Sequence, residues 1–251
     1  MTQAEYQKDL SLKSPILLDY GYKRPKVEKM LAILRRAGII AEQPRALAVD
    51  IGCSGGFFTS VLAPHFERVI GLDIDQYALR KAESEKQHEN LSYLAGDSLH
   101  LPFPDNSIDL IICNHVYEHV PDPVKMFADI HRVLKDDGVC YFGAASRLIL
   151  MEPHYHLPFL SWLPKAVAHR YMRLFGKGDF YYENLRTYTG IRKLIRNFDV
   201  EDYTLQVLKD PDTYHARDML PEQGILARIP QFIWQALYQV LPTYILILRR
   251  R

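Results

Sequence analysis

Three stretches bring together residues that could do chemistry. In "AVDIGCSGGFF", residues 48–58, an apolar run carries Asp50 near its end, then meets Gly52, Ser54, Gly55 and Gly56 before turning apolar at Phe57. A bend with so little side chain leaves its main chain reachable. Glycine has no Cβ, and a strand–turn–helix junction offers free amides to a ligand. Further on, "VIGLDID" places Asp73 at the end of a second apolar run. That is about 20 residues after the glycines, the offset expected of an acid that accepts ribose hydroxyls. Each such charge-assisted bond contributes about 1.5–3 kcal/mol. The third stretch, "PHYHLP", holds His154 and His156, with His115 as a rival upstream. An imidazole that takes a proton from a hydroxyl adds about 10²–10⁴-fold to a rate.

These residues need a scaffold, and the apolar pattern supplies one. Short apolar runs at Ala46–Ile51, Val69–Leu72, Ile108–Cys113 and Val139–Gly143, with a weaker one near Leu91–Leu94, alternate with helical patterns. "PKVEKMLAILRRAGI" sets Val27, Met30, Leu31 and Leu34 on one face, with Pro25 near its start and Gly38 at its end. "DQYALRKAESEKQ" has Asp75 as N-cap. "DPVKMFADIHRVLKDDG" has Asp122 as cap, Pro123 at the first helical position, and Met126, Phe127, Ile130, Val133 and Leu134 on one face. Strands alternating with helices imply an α/β fold with a parallel sheet, both faces covered. Ligands then bind beyond the carboxyl ends of the strands, where the polar clusters fall.

The chain has 251 residues, 48% of them hydrophobic and 24% charged, with a formal net charge of +1. A substantial core is within reach, and nothing in the charge favours a nucleic-acid partner. Cys53, Cys113 and Cys140 lie far apart without metal-binding spacing, so they read as buried reduced thiols and no metal is expected. The polar N-terminus lacks the apolar core of a secretory signal. The late apolar stretch is broken by Arg228, Pro230 and Pro242 and falls short of the uninterrupted span of about 20 residues that a membrane helix needs. A cytoplasmic protein is the expectation.

A dinucleotide site would want G-x-G-x-x-G. Counting from Gly52, the third position is Ser54 and the sixth is Phe57, so a nicotinamide oxidoreductase is disfavoured. The pattern Asp50-x-Gly52-x-Ser54-Gly55-Gly56 instead resembles the first motif of class I S-adenosylmethionine-dependent methyltransferases. "LAGDSLHLPFPDNSIDLIICNHVYEHVPDP" is similar to the family's third and fourth motifs. "HRVLKDDGVCYFG" resembles its helix, turn and fifth strand, with Asp136 and Asp137 replacing the usual Pro and Gly. Together the motifs cover about residues 46–147, closest to the small-molecule, type 11-like branch.

The resemblance implies a Rossmann-like, seven-stranded, mostly parallel sheet whose last strand is antiparallel. It implies S-adenosyl-L-methionine as cofactor and S-adenosyl-L-homocysteine as product. It places Asp97 at the adenine amino group, Ser98 at the ring through its backbone nitrogen, and Asn114, His115 and Val116 beside the methionine part. The cofactor-binding set becomes Asp50, Gly52, Cys53, Ser54, Gly55, Asp73, Ile74, Asp97, Ser98, Asn114 and His115. Within it Asp50 is read as orienting the loop's amides, and Cys53 as a small buried side chain. Glu118 and His119 are read as structural, with Glu118 capping the next segment.

The division expected is an N-terminal helical cap over residues 1–45, a cofactor-binding core over 46–147, an inserted aromatic-rich lid over 148–188, and completion of the sheet over 189–251. In the last part "TGIRKLIRNF" reads as a helix, "DVEDYTLQVL" as a strand, Pro230–Leu241 as a helix and "PTYILILRR" as the final strand. A helix over Ser161–Phe175 would carry an apolar stripe of Leu163, Val167, Tyr171 and Leu174, with Lys165, His169, Arg173 and Lys177 on another face. The plain reading is a lid docked on the sheet. The sharper one is a lid that touches lipid or welcomes an amphiphilic acceptor, which makes the protein peripheral to a membrane. Tyr155, Tyr181 and Tyr182 are expected to line the acceptor site.

The function expected is methyl transfer to a small, apolar or aromatic acceptor, at oxygen before carbon or nitrogen. Nucleic-acid amino methylation fits poorly, because the stretch after the fourth strand reads Asn114-His115-Val116-Tyr117 rather than Asn-Pro-Pro-Tyr. The alternative is a non-catalytic module that keeps the fold and binds a partner through the Pro230–Leu241 helix.

Overall fold

A computed structural model describes residues 7–41, 43–220, 222, 224 and 229–251. The first six residues of the expected N-terminal cap lie outside this set, as does Arg228 in the late apolar stretch.

Helix α1 (Leu10–Lys13) and a 3₁₀ turn (Pro15–Leu18) lead into α2 (Tyr20–Arg36). The core then runs β1 (Arg45–Ile51), α3 (Phe57–Ser60), β2 (Phe66–Asp73), α4 (Gln76–Ser84), β3 (Leu91–Ala95), β4 (Ile108–Asn114), α5 (Pro123–Val133) and β5 (Leu134–Ala145). The lid contains a two-residue hairpin, β6 (Met151–Glu152) and β7 (Leu157–Pro158), followed by α6 (Lys165–Leu174). The chain finishes with α7 (Tyr188–Leu194), β8 (Phe198–Asp202), α8 (Thr204–Lys209), α9 (Gln231–Ala236) and β9 (Thr243–Arg250).

The main sheet has seven strands in the order β3-β2-β1-β4-β5-β9-β8. Strands β1 to β5 pair in parallel, while β9 is antiparallel to both its neighbours. The order reverses beside β1, between β2 and β4, which opens a crevice at the strand ends there. The pleat sends alternate residues to opposite layers. Val49, Ile51, Ile111 and Cys113 pack towards α5 and α7 through Phe127, Ile130 and Ile191. Ala48, Leu110 and Ile112 pack towards α2 through Val27, Met30, Ile33 and Leu34.

Asp75 and Asp122 cap α4 and α5 as the sequence suggests, each accepting backbone N–H groups of the first turn. Other boundaries move. Helix α2 starts at Tyr20, where the Asp19 side chain accepts from Tyr22 N, so Pro25 lies inside the helix rather than near its start. Leu134 leaves the helix and opens β5, its backbone extended. "DVEDYTLQVL" splits after Asp202: Thr204 N donates to Asp202 Oδ1 at 2.8 Å, and α8 buries Tyr203 and Val207 one helical turn apart. The helix expected over Pro230–Leu241 is regular only to Ala236 and is followed by a 3₁₀ turn, Tyr238–Val240.

The lid helix also begins later than expected, at Lys165, because Pro164 stands at its cap after a separate 3₁₀ turn, Leu160–Trp162. Its inward face is Ala168 and Met172, packed with Leu157, Leu160 and Tyr181. Leu163 and Tyr171 are only partly buried against that cluster. Val167 and Leu174, at 48% and 80% exposure, face outward, so the expected stripe is not the docking face.

An ion pair whose lysine is buried ties the N-terminal cap to the segment after α8. Lys29 Nζ donates to both oxygens of Asp218, at 2.8 and 2.9 Å, with the lysine side chain 6% exposed. Removing one partner strands the other charge away from water. Asp218→Ala should lower unfolding stability by about 2–3 kcal/mol in urea, because Asp218 is partly solvated and sits below the fully buried case. Lys29→Met in the same background should recover most of the loss.

Candidate active site

The glycine turn sits where β1 meets the crevice. Gly52 N and Cys53 N both donate to the Leu72 carbonyl, at 2.8 and 3.2 Å, which pins the turn to β2. Gly52 has φ +70°, and a Cβ there would come within 2.7 Å of Val116 Cγ2. Both the left-handed backbone and the close neighbour therefore exclude a side chain. Ser54 N donates to Asp73 Oδ2 at 2.7 Å, and Asp75 N donates to Oδ1 at 2.8 Å. Asp73 thus fastens the loop while its carboxylate keeps lone-pair capacity for another donor.

Asp50 accepts the Thr59 hydroxyl at 2.7 Å, so it orients α3 behind the turn. Burial pushes the Asp50 carboxyl up to about 7, against the pull of the Thr59 bond and with the Asp73 charge adding to the rise. Burial also raises Asp73, opposed by the backbone N–H groups of Asp75, Ser54 and Ile74. The Cys53 thiol is pushed well above its ordinary value by burial, then by the charges of Asp73 and Asp50, as suits an inert side chain.

A cavity of about 870 Å³ opens over these groups. Its wall includes Asp50, Gly52, Cys53, Ser54, Asp73 and Ile74, then Asp97 and Ser98 after β3, and Asn114 and His115 after β4. Gly55 does not join them: a Cβ there would meet Leu18 and Phe57, each at 3.2 Å, on the side facing the N-terminal cap. His154, His156 and Tyr155 line the same cavity from the lid. Tyr181 does not, being buried in the lid's own core, and Tyr182 is not part of the wall.

Glu118 does not cap the next segment; that is Asp122. Glu118 is 1% exposed and lies on the cavity wall, Oε1 3.3 Å from His115 Nδ1. Burial works to raise its carboxyl, but the His115 hydrogen bond and the charges of His115 and His119 leave it lowered.

The histidines of the lid are unequal. His154 Nδ1 meets Glu152 Oε1 at 2.7 Å, and the same carboxylate accepts His154 N and Tyr155 N through Oε2, each at 2.8 Å. Burial disfavours a charged His154 ring. The Glu152 bond and the charges of Glu152, Glu183 and Glu118 outweigh it, so His154 titrates above an ordinary histidine. His119 packs edge-on against His154, ring centroids 4.8 Å apart, and burial holds it down to about 4. His156 has a left-handed backbone, φ +54°, and its N–H donates to the Glu152 carbonyl.

Several wall residues escaped the sequence reading. Ser11 N and Oγ both donate to Asp75 Oδ2, at 2.8 and 2.6 Å, fastening the N-terminal segment over the cavity. Lys23 lines the wall too, its ammonium lowered to about 8 by burial and Lys26, with Asp50 and Asp73 opposing. In "GYKRPK" it resembles any solvated cation. Glu152, buried behind the wall rather than in it, carried a faint trace, standing two residues before His154.

Residues 49–142 match a family described as a methyltransferase domain. The chain is similar to an uncharacterized methyltransferase, YcgJ, of Bacillus subtilis (strain 168): 36% identity over 93 residues, covering 36% of this chain and 37% of that protein. It is also similar to the ubiquinone biosynthesis O-methyltransferase of Coxiella burnetii, 32% identical over 101 residues, 39% of this chain and 43% of that one. The chain thus spans less than half the length of these curated relatives. A solved S-adenosylmethionine-dependent methyltransferase from Mesorhizobium loti shares the fold, with TM-score 0.56 and 18% identity over 85% of this chain and 95% of that chain. The glycine turn, the acid ending β2 and the strand order all lie in or around the matched segment, and residues 49–142 form a domain of the class I S-adenosylmethionine-dependent methyltransferase family, in its type 11 branch.

Proposed function

We propose that this protein transfers a methyl group from S-adenosylmethionine to the oxygen of a small, apolar or aromatic acceptor, with His154 as general base. One observation carries the reading. A single cavity has the glycine turn and Asp73 at one wall and His154, held from behind by the buried Glu152, at another. The cofactor fits this wall chemically. Asp50 and Asp73 are buried carboxylates that a cationic ligand would favour, and Asp73 has lone pairs to spare for a nucleoside diol. Ser98 and Asp97 would hold the adenine, Asn114 and His115 would border the amino-acid part, and Lys23 would face its carboxylate. When bound, the sulfonium supplies an activated methyl and leaves as a neutral thioether.

The protein's task is then alignment, exclusion of water and one proton transfer. Glu152 holds the proton on His154 Nδ1 and so leaves Nε2 with the lone pair. Nε2 takes the acceptor's hydroxyl proton while that oxygen forms its bond to the methyl carbon. His115, facing Glu118, and His156 stand by as rival bases on the same wall. The division into a cap (1–45), cofactor core (46–147), lid (148–188) and sheet completion (189–251) follows from these roles. A cytoplasmic setting suits three buried thiols with no disulfide among the described residues. The O-methyltransferase among the relatives supports oxygen as the target.

A cavity walled by these groups speaks against a module that only binds a partner. Calorimetry decides: S-adenosylmethionine and S-adenosylhomocysteine should both bind one to one, and NADH should not. Absence of binding by either sulfur nucleoside overturns the proposal.

A further inference from the structure

The outward face of the lid combines two features that a closed, solvated lid does not need. Leu174, Phe175, Phe159 and Trp162 are 80%, 55%, 49% and 42% exposed. Phe159 and Trp162 stack edge-on, 5.2 Å apart, and Trp162 Nε1 donates to the carbonyl of Ile149, a residue of the cavity wall. Beside this apolar surface cations outnumber anions, exposed Asp179 being the acid that follows them in sequence. Residues 153–178 hold Lys165, Arg170, Arg173 and Lys177 and no Asp or Glu, in a chain whose charges nearly balance. Lys165 is spent within the lid, donating to the carbonyls of Tyr181 and Glu183. Arg170, Arg173 and Lys177 are exposed, and no side-chain hydrogen bond or ion pair engages them among the described residues.

On α6, residues 167, 171 and 174 share one stripe, residues 170 and 173 fall on the adjacent stripe, and Ala168 and Met172 fill the inward face. Apolar and basic surface therefore lie side by side on the solvent half of one helix. An apolar stripe flanked by arginines matches an interface where acyl chains meet anionic headgroups. A protein partner or a second copy would have to supply carboxylates in register; a bilayer bearing anionic lipid supplies negative phosphates anywhere on its surface. No described helix is long and apolar enough to cross a membrane, so contact would be peripheral.

We infer that the outer face of the lid, centred on α6 and the Phe159–Trp162 pair, is a docking surface for a lipid bilayer carrying anionic headgroups. The inference stands apart from what the cavity binds.

Sedimentation with vesicles tests it, using the whole chain. Binding should be strong to phosphatidylcholine vesicles containing phosphatidylglycerol, at least tenfold weaker to pure phosphatidylcholine, and should fall as salt rises. Replacing Arg170, Arg173 and Lys177 together by Gln should cost about a hundredfold on the anionic vesicles, about fivefold per cation. Leu174→Ser with Phe175→Ser should cost at least tenfold. All five residues are exposed, so melting and S-adenosylhomocysteine affinity should stay as in the parent. No binding to anionic vesicles, equal binding to both compositions, or binding indifferent to both sets of substitutions overturns the inference. So does a dimer in sedimentation that the Leu174 and Phe175 changes abolish, because a second copy then covers this face. Nucleoside binding without vesicle binding removes only the lipid surface; vesicle binding without nucleoside binding removes only the methyl-transfer reading.

Discussion

Asp73→Ala should weaken S-adenosylhomocysteine binding by about tenfold to a hundredfold in a calorimetric titration, the span of one lost charge-assisted hydrogen bond. The carboxylate has two jobs. It accepts Ser54 N and Asp75 N, so it sets the path of the glycine turn, and its remaining lone pairs face the cavity. Truncation removes both at once. Asp73→Asn separates them: one amide oxygen still takes a backbone N–H, while the NH₂ group opposes the other. The asparagine variant should bind better than the alanine one and worse than the parent. In the absence of ligand, Asp73→Ala should also lose about 1–2 kcal/mol of unfolding stability, because two loop amides lose their partner. Unchanged nucleoside affinity in both variants removes Asp73 from the site and leaves it a loop fastener only.

His154→Ala should lower the turnover number by about 10²–10⁴-fold and leave S-adenosylhomocysteine affinity near the parent value. The pH profile carries the sign. The base must be neutral, and Glu152, Glu183 and Glu118 hold the charged ring in favour. Turnover should therefore drop as pH falls through a value above the 6.5 of an ordinary histidine, and level off on the alkaline side. Glu152→Gln withdraws the principal support of the imidazolium, so the acid limb should move to lower pH while the nucleoside still binds. A limb that stays in place when Glu152 changes assigns the titration to another group. Full activity in His154→Ala moves the role to His115 or His156, whose rings share the wall. His119 also lines the cavity but is the weaker base, since burial lowers its ring to about 4 and it packs edge-on against the His154 ring.

What could be read in advance divides along the range of the interaction that decides it. The β1 turn was legible because its demand is local. Gly52 must adopt a positive φ, which glycine does without strain, and that demand is set within the turn itself. The caps at Asp75 and Asp122 were legible for the same reason, since each carboxylate accepts backbone N–H groups only two or three residues on. Gly55 shows the limit: it looks like part of the ligand loop, yet its missing Cβ serves packing against Leu18 and Phe57. "DVEDYTLQVL" shows another. Its apolar residues suit a strand, but Tyr203 and Val207 are buried one helical turn apart against the sheet, and that tertiary burial won.

The sequence by itself determined the alternating strands and helices, the bare turn after β1 and the acid at the end of β2, because periodicity, capping and glycine conformation act over a few residues. Only the tertiary structure decided the rest. It brought Ser11 onto Asp75, set Lys23 in the cavity wall, joined Glu118, Glu152 and Glu183 around His119 and His154, and turned Val167 and Leu174 of the lid outward. Those outcomes depend on which distant surfaces meet and exclude water from one another. Burial of that kind fixes the charge state of a carboxylate or an imidazole, and it belongs to the assembled chain rather than to any window of it.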